Sequence, residues 1–117
     1  MTPAPIKPII NFDDISKIDL RVGTITAVDD VPKSRKLVAL IVSFGDHQRT
    51  ILSGMKNERE NLQELVGQQA LFVVNLESRK MAGMLSEGML FDLGYEDGIT
   101  PVLAQPEATV PAGTRAG

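Results

Sequence analysis

The sequence has no cysteine and no tryptophan, and His47 is its only histidine. Without cysteine there is no disulfide, and no thiolate to bind a metal or attack a substrate. One histidine cannot form a histidine-based catalytic dyad or a histidine cluster around a metal. Neither a Walker loop nor a dinucleotide-binding glycine fingerprint is present. We therefore expect no enzymatic activity, no bound metal and no cofactor.

Long apolar runs are missing as well. None approaches the roughly 20 residues that a membrane-spanning helix requires. Residues 1–11 contain three prolines and no apolar stretch of signal-peptide length, so they are expected to form an N-terminal tail. In a chain of 117 residues, 43% hydrophobic and 23% charged content suits one globular domain, residues 12–117, that includes a C-terminal extension. We expect a cytoplasmic protein that does not insert into membranes.

Negative charge prevails over the whole chain but not in its middle. The net charge is −3, from 12 Lys and Arg against 15 Asp and Glu. From Lys33 to Lys80, however, eight cations stand against five acids, which leaves a local charge of +3. This distribution indicates a face for a polyanion on an otherwise acidic protein, with ordinary scatter of surface charge as the alternative.

Alternating and continuous apolar segments predict an all-β fold, a small barrel of about five strands. Short helices are predicted over residues 12–18 and 57–66, the second between the third and fourth strands. The apolar phase changes across Gly23, which predicts a β-bulge or a sharp bend in the first strand. Segments with a strand pattern cover residues 20–27, 37–44, 49–53, 71–76, 89–93 and 99–103.

Two of these segments, residues 37–44 and 71–76, are apolar on both faces. The interior of one small barrel covers only one face of each strand. The outer faces therefore need cover from the N-terminal helix, the C-terminal segment or a second copy of the chain. A homodimer is one arrangement that this surplus of apolar surface favours.

Residues 75–90, NLESRKMAGMLSEGML, lie between two apolar runs and place the adjacent cations Arg79 and Lys80 between two predicted strands. Connections between rigid elements are where ligand-binding groups usually lie. Arginine offers a planar fork and lysine a point charge to phosphate oxygens. The stretch is therefore predicted to be a binding loop on a β scaffold, and a solvated loop is the alternative.

Together with DLRVG at residues 19–23 and ILSG at residues 51–54, this stretch resembles the tRNA-binding domain appended to some aminoacyl-tRNA synthetases. The same domain occurs as free-standing dimeric proteins and as the CsaA-type export chaperone. The resemblance covers residues 12–114 and implies a five-stranded OB-fold barrel with short helices and terminal extensions, assembled as a homodimer. It implies tRNA as a partner, and an aminoacyl-tRNA synthetase as a further one.

Two functions remain open, because the tRNA-binding proteins and the chaperone share these blocks. The first is recognition of tRNA shape and backbone through a basic loop. The second is chaperone binding of unfolded or secretory polypeptides, favoured by the net negative charge and by five methionines. With only five aromatic residues, the chain is not expected to stack single-stranded bases in a sequence-specific manner.

By this resemblance, Arg79 and Lys80 match the basic pair that contacts RNA in the family. Ser86 and Met89 match the SEGM signature of tRNA binding, where serine can donate to a phosphate or ribose oxygen and methionine can lie against a base. Met89 also alternates with Phe91, so a place in the core is the alternative for its side chain.

The first long loop carries Lys33, Arg35 and Lys36, and it matches the Ser-x-Lys-Leu turn of the family. It is either an oligonucleotide-binding loop or a solubilising one. Asn75 either reads a base or holds its loop. The predicted RNA-binding residues are Lys33, Lys36, Asn75, Arg79, Lys80, Ser86 and Met89.

Four other cations are left with two interpretations each. Arg49, Lys56 and Arg59 are either contacts at the rim of the binding surface or ordinary surface charges. Arg21 lies close to Asp19 in the sequence, so it forms either an internal ion pair or a ligand contact.

Overall fold

The computed structural model describes residues 1–117. Its main sheet is built around a long first strand. The strand order is β3-β2-β1-β4-β7, with antiparallel pairing throughout. Two small hairpins, β5–β6 and β8–β9, complete the strands. The strands are β1 (Leu20–Asp30), β2 (Val38–Ser43), β3 (Gln48–Ser53), β4 (Gln69–Val73), β5 (Arg79–Met81), β6 (Met84–Ser86), β7 (Met89–Leu90), β8 (Asp92–Leu93) and β9 (Val102–Leu103).

The sheet curls into a nearly closed barrel, because its edge strand β3 is bonded to the last residue of β6 and to the residue after it. The amide of Glu87 donates to the carbonyl of Thr50 at 2.9 Å. The Ser86 hydroxyl accepts from the amide of Leu52 at 3.0 Å. The fold is all-β and OB-like, which confirms the predicted fold class.

The barrel interior is filled by alternate residues of the strands, as the period-two pattern predicts. Ile25, Leu40 and Phe72 are fully buried at 0% exposure. The main core cluster consists of Ile25, Val28, Val38, Leu40, Val42, Phe44, Ile51, Met55, Leu65, Ala70, Phe72, Val74 and Leu90.

A second, smaller cluster explains how the outer face of β2 and β3 is covered. Val31, Ala39 and Leu52 are buried there beneath the β5–β6 hairpin. The partly buried residues packed against them are Leu37, Met81, Ala82 and Met84. The sequence suggested a helix, the C-terminal segment or a second copy as the cover. For β2, one of the two segments predicted to need cover, and for its neighbour β3, the cover is instead the β5–β6 hairpin.

The C-terminal segment covers another part of the sheet. Strand β2 pairs with β1 only from Thr24 onward, which leaves one edge of the first residues of β1 free. The chain end occupies that edge: the Val22 amide donates to the Thr114 carbonyl at 2.8 Å, and the Ala116 amide donates to the Leu20 carbonyl at 2.9 Å. The C-terminal extension is thus an integral part of the sheet.

The helices are shorter than predicted. Helix α1 spans Phe12–Ser16, and its N-cap Asn11 accepts from the Asp14 amide at 3.0 Å. The helix predicted over 57–66 is wrong except for a 3-10 turn at Leu62–Leu65, capped by Asn61. A helix of one or two turns gains few hydrogen bonds for its nucleation cost, so tertiary contacts decide such segments. A second 3-10 turn is Tyr95–Asp97, and none of the helices is long and apolar enough to cross a membrane.

The irregularity predicted at Gly23 lies slightly further along β1. The register with β2 shifts between Ile25 and Ala27. Gly23 serves a different purpose, because a Cβ at this position would collide with Val42 and would lie 2.9 Å from Phe44 Cε1. The glycine therefore allows close packing inside the barrel rather than marking the bulge.

Candidate nucleic-acid interface

The predicted binding loop contains a hairpin. Strands β5 and β6 pair Arg79 with Ser86, Lys80 with Leu85 and Met81 with Met84. The two turn residues have positive φ, 50° at Ala82 and 80° at Gly83. Two such residues form a type I′ turn, whose twist matches that of a two-residue hairpin. The hairpin thus presents Arg79 and Lys80, both exposed, on a regular element.

The first long loop, residues 31–37, is packed against this hairpin. Buried Val31 and half-buried Leu37 share the smaller hydrophobic cluster with Met81 and Met84. At the hairpin tip, the Lys33 ammonium lies 3.7 Å from the point that a Cβ on residue 83 would occupy. The structure therefore joins the two segments that the sequence proposed separately.

Five cations on these two segments are exposed and form no ion pair. In contrast, four other cations of the chain do have acidic partners, namely Lys17, Arg21, Lys56 and Arg59. Exposed cations without a partner remain available to an anionic ligand. We call the five together the basic surface: Lys33, Arg35, Lys36, Arg79 and Lys80.

Lys56 supports the basic surface from behind. Its ammonium donates to the carbonyls of Ser34 at 2.6 Å and Val31 at 3.0 Å, and it lies 2.7 Å from an Asp30 carboxylate oxygen. This bond to Lys56 lowers the pKa of Asp30. Sequence reasoning left Lys56 as a rim contact or a surface charge. No sequence spacing indicates its role, because its partners lie more than twenty residues earlier in the chain.

Ser86 belongs to the hairpin but is only 3% exposed. Its hydroxyl accepts from the Leu52 amide at 3.0 Å and donates to the Gly88 carbonyl at 3.3 Å. The side chain therefore attaches the hairpin to β3. A ligand contact by Ser86 stays a prediction, and this geometry favours a supporting role.

Asn75 is bonded to the connection between α1 and β1. Its side-chain oxygen accepts from the Asp19 amide at 2.8 Å, and its side-chain nitrogen donates to the Lys17 carbonyl at 2.6 Å. Of the two interpretations given above, holding the chain is the one that these contacts support. Its RNA contact also stays a prediction.

Met89 lies on β7 beside the hairpin and is 45% exposed. Its neighbour Leu90 is 7% exposed and fills the core, while Phe91 is 44% exposed. The alternation therefore directs Leu90 inward and Met89 outward. The methionine is an exposed apolar side chain rather than a core residue.

Two further arginines are engaged within the fold. Arg21 forms a two-pronged pair with Asp19, with nitrogen–oxygen distances of 2.9 and 3.1 Å, and this pairing lowers the pKa of Asp19. Arg49 donates to the carbonyls of Val74 at 2.6 Å and Glu87 at 3.3 Å. No three His, Asp or Glu side chains come together as a metal site would require.

Residues 20–115 match the family model described as "Putative tRNA binding domain". The chain belongs to this tRNA-binding domain family. The membership confirms the resemblance inferred from the sequence blocks.

Curated relatives are much longer proteins. The methionine–tRNA ligase of Parabacteroides distasonis is 41% identical over 110 residues, which cover 94% of this chain and 16% of the ligase. The methionine–tRNA ligase of Methanococcus vannielii is 42% identical over 95 residues, or 81% of this chain and 14% of the ligase. The chain thus spans about one-sixth or less of the length of these relatives.

Solved structures of similar size are related as well. A MetRS-related protein from Pyrococcus horikoshii superposes with a TM-score of 0.86 at 33% identity, covering 95% of this chain and all of that one. The chaperone CsaA from Bacillus anthracis superposes with a TM-score of 0.80 at 32% identity, covering 94% of this chain and all of that one. Similarity therefore extends to both functional classes that the sequence left open.

Proposed function

We propose that this chain is a non-catalytic tRNA-binding protein that holds the tRNA backbone on its basic surface. The observation that carries the proposal is that five exposed cations without acidic partners lie on two segments packed together. Phosphate contacts supply most of the affinity in such complexes and fix the position of the nucleic acid. Membership of the tRNA-binding domain family supports tRNA as the polyanion.

Within this proposal the site residues divide by what they contact. Arg79, Lys80, Lys33 and Lys36 contact phosphates. Met89 lies against a sugar or a base beside them as an adaptable apolar side chain.

Ser86 and Asn75 stabilise the fold in the proposal and do not contact the tRNA. Ser86 attaches the hairpin to the barrel, and Asn75 holds the end of β4 to the start of β1. Phe44 and Phe72 are buried in the core and offer no face for stacking, while the exposed Phe12, Phe91 and Tyr95 lie outside the two segments of the basic surface. Recognition is therefore of tRNA shape and backbone rather than of a base sequence.

The proposal includes a homodimer. Apolar side chains remain exposed around the sheet: Phe12 is 90%, Met89 45% and Phe91 44% exposed. Ile6 and Ile9 in the N-terminal tail are both 98% exposed. A second copy would cover this apolar surface. The other proposed partner is an aminoacyl-tRNA synthetase, since the curated relatives are methionine–tRNA ligases, and the proposed location is the cytoplasm.

The alternative function is a chaperone that binds unfolded polypeptides. It is favoured by the similarity to chaperone CsaA and by half-exposed apolar side chains near the basic surface. Leu76 is 49%, Leu85 51% and Met89 45% exposed. An adaptable apolar surface of this kind suits peptide segments of varied sequence.

The proposed function is tested by binding of bulk tRNA across a salt series. Counterion release gives a log–log slope of about −0.7 to −0.9 per phosphate neutralised. Replacing Arg79 and Lys80 with alanine should weaken binding and flatten this slope by about one to two units. A matched control replaces Lys7 and Arg115, two exposed cations away from the basic surface, and should leave the slope unchanged.

Equal effects of the two double variants would contradict the assignment of this surface. Unchanged tRNA affinity in the Arg79 and Lys80 variant would favour the chaperone instead. The same variants are then assayed for suppression of the aggregation of an unfolded client protein. Chaperone activity without tRNA binding would replace the proposed function by the alternative.

The dimer is tested by sedimentation at micromolar concentration. Deletion of residues 1–10 removes exposed apolar residues without removing any strand or helix. We expect this deletion to weaken the dimer without changing the thermal midpoint of the dissociated monomer. Deletion at the other end is a poorer test, because residues 113–116 pair with β1. A wild-type monomer would refute the dimer.

A further inference from the structure

Lys56 uses its whole hydrogen-bonding capacity inside the molecule. A lysine ammonium has three donors and no acceptor. The Lys56 ammonium has three oxygen partners, namely the Ser34 carbonyl at 2.6 Å, the Val31 carbonyl at 3.0 Å and the Asp30 carboxylate at 2.7 Å. Its side chain is 21% exposed. No donor is left for a phosphate oxygen, although Lys56 lies beside the basic surface.

Residues 56 and 57 hold two more carbonyls of the first long loop, residues 31–37. The Lys56 amide donates to the Lys36 carbonyl at 3.0 Å. The Asn57 side-chain nitrogen donates to the Arg35 carbonyl at 3.1 Å. Four carbonyl groups of residues 31–36 therefore point toward residues 56 and 57, while the side chains of Lys33, Arg35 and Lys36 are exposed.

We propose that Lys56 is a positioning residue of the tRNA-binding surface, which holds the loop 31–36 against the hairpin without touching the RNA. The inference rests on the proposed function, since it assumes that the loop cations contact phosphates. A loop fixed before binding loses less conformational freedom on binding, so the same contacts give a higher affinity.

Lys56 has a second effect through charge. The Asp30 side chain is 68% exposed and lies immediately before the first long loop, residues 31–37. An unpaired carboxylate at this position would repel a phosphate. The ammonium of Lys56 pairs with this carboxylate. Removal of Lys56 therefore both loosens the loop and exposes a negative charge beside it.

A double-mutant cycle distinguishes positioning from direct contact. Lys56→Met keeps the aliphatic stem and removes the three donors, and it should weaken tRNA binding about tenfold. The second variant replaces Lys33, Arg35 and Lys36 with alanine. In that background, Lys56→Met should weaken binding by a smaller factor, about threefold at most, because the unpaired Asp30 carboxylate still repels phosphates but no loop cations remain to be positioned. An equal factor in both backgrounds would overturn the proposal.

Amide hydrogen exchange provides a readout that needs no RNA. The amides of Lys36 and Leu37 donate to the Ser34 hydroxyl, at 3.2 and 3.0 Å, within the loop that Lys56 holds. In Lys56→Met both amides should exchange about tenfold faster, while amides of β1 remain protected. Unchanged exchange of these two amides would also overturn the proposal. If the wild-type protein failed to bind tRNA, the proposed function would fall, whereas the exchange result would still decide whether Lys56 orders the loop.

A conservative variant guards against a folding defect. Lys56→Arg keeps a positive charge beside Asp30, but its planar guanidinium cannot place three donors at one point. We expect it to fold with a thermal midpoint close to the wild type and to retain an intermediate affinity in the same cycle. Wild-type affinity in this variant, with loop amides that exchange as fast as in Lys56→Met, would show that charge alone suffices and would overturn the positioning role.

Discussion

The basic surface and the junction between α1 and β1 are both rich in polar side chains, yet they use them in opposite ways. At the junction, Arg21 is paired with Asp19, and Asn75 bonds to backbone groups of Lys17 and Asp19. On the basic surface, none of the five cations has an acidic partner. The side-chain chemistry is similar, so the difference lies in the acceptors within reach.

Unpaired carbonyls at strand ends explain part of that difference. A carbonyl at the end of a strand lacks a ladder partner, and a buried carbonyl without a partner is costly. Long donors near strand ends therefore become bonded, as Arg49 does to the Val74 carbonyl that follows β4. In the β5–β6 hairpin, the two strands pair with each other and the turn is closed. Arg79 and Lys80 consequently stay available to a ligand.

The largest expected effect comes from removing the whole basic surface. A variant with all five cations replaced by alanine should lose tRNA binding by several orders of magnitude and should flatten the salt slope by about three to four units. Its stability should change little, because each substitution is on the surface and typically costs within about 0.5 kcal/mol. Gel shifts across a salt series and urea unfolding measure the two quantities. Retained tRNA binding would show that the five unpaired cations differ from the paired residues of the junction in no way that matters for the ligand.

The reverse pattern is expected for an arginine engaged within the fold. Arg49→Met leaves the Val74 and Glu87 carbonyls without their donor, and it should lower the free energy of unfolding by about 2 kcal/mol. The salt slope of tRNA binding should not change. Arg79→Met makes the same chemical change on the basic surface and should cost less than about 0.5 kcal/mol. Urea unfolding of both variants measures these two losses of stability. Similar losses would show that Arg49 is no more engaged within the fold than Arg79.

Ser86→Ala should have a comparable but smaller effect on stability. Loss of the hydroxyl leaves the amide of Leu52 without an acceptor in a buried position, at a cost of about 1 to 2 kcal/mol. Affinity for tRNA should fall modestly at an unchanged salt slope, because serine releases no counterions. Ser16→Ala, at an exposed serine, is the control in both assays. A loss of affinity without any loss of stability would instead assign Ser86 to direct contact.

Asn75→Ala addresses the junction in the same way. Its two hydrogen bonds are exposed, so their loss should cost only about 1 kcal/mol. Binding of tRNA should be unchanged, which thermal unfolding and gel shifts would establish together. Weakened binding by a fully stable variant would move Asn75 from the junction to the interface.

These contacts show how far sequence reasoning reaches in this molecule. Strand periodicity and the Asn11 cap are local signals, so the barrel strands and α1 were predictable. The cations Arg79 and Lys80 were recognisable from their motif, and their exposure agrees with a role in binding. The burial of Ser86 was not predictable, because its partner Leu52 is 34 residues away in the chain.

The hairpin itself illustrates the same limit. Its turn residues Ala82 and Gly83 gave a weak signal, since only the glycine is a common choice for positive φ. Its role as a cover for Ala39 depends on tertiary packing that periodicity does not encode. The helix predicted over 57–66 was wrong for a related reason. The side chains of Lys56 and Asn57 bond to backbone carbonyls of the first long loop, at Ser34 and Arg35.

Arg59 lies between the two classes of cation, and it leads to the smallest expected effect. Its guanidinium is 3.8 Å from Glu58, yet the facing atoms Nη1 and Oε1 are buried without a hydrogen bond. Burial raises the pKa of Glu58, with Arg59 opposing and Asp92 adding to the shift. Burial likewise raises the pKa of Asp92, and Arg59 opposes it.

A carboxyl group whose pKa is raised by folding binds its proton more tightly in the folded state, so its contribution to stability grows as pH falls through the raised pKa. Asp92→Asn removes this partly buried charge and should raise the urea midpoint slightly at neutral pH. The gain should shrink as pH falls toward the ordinary aspartate pKa of about 4. Asp30→Asn should behave oppositely, because the bond to Lys56 lowers the pKa of Asp30: it should lower the midpoint at neutral pH, and the loss should vanish in acid. The measurement is the urea midpoint of both variants, relative to wild type, between neutral and acidic pH. We expect the two differences to change with pH in opposite directions. If they changed in the same direction, Arg59 would compensate the charge of Asp92 as fully as Lys56 compensates that of Asp30.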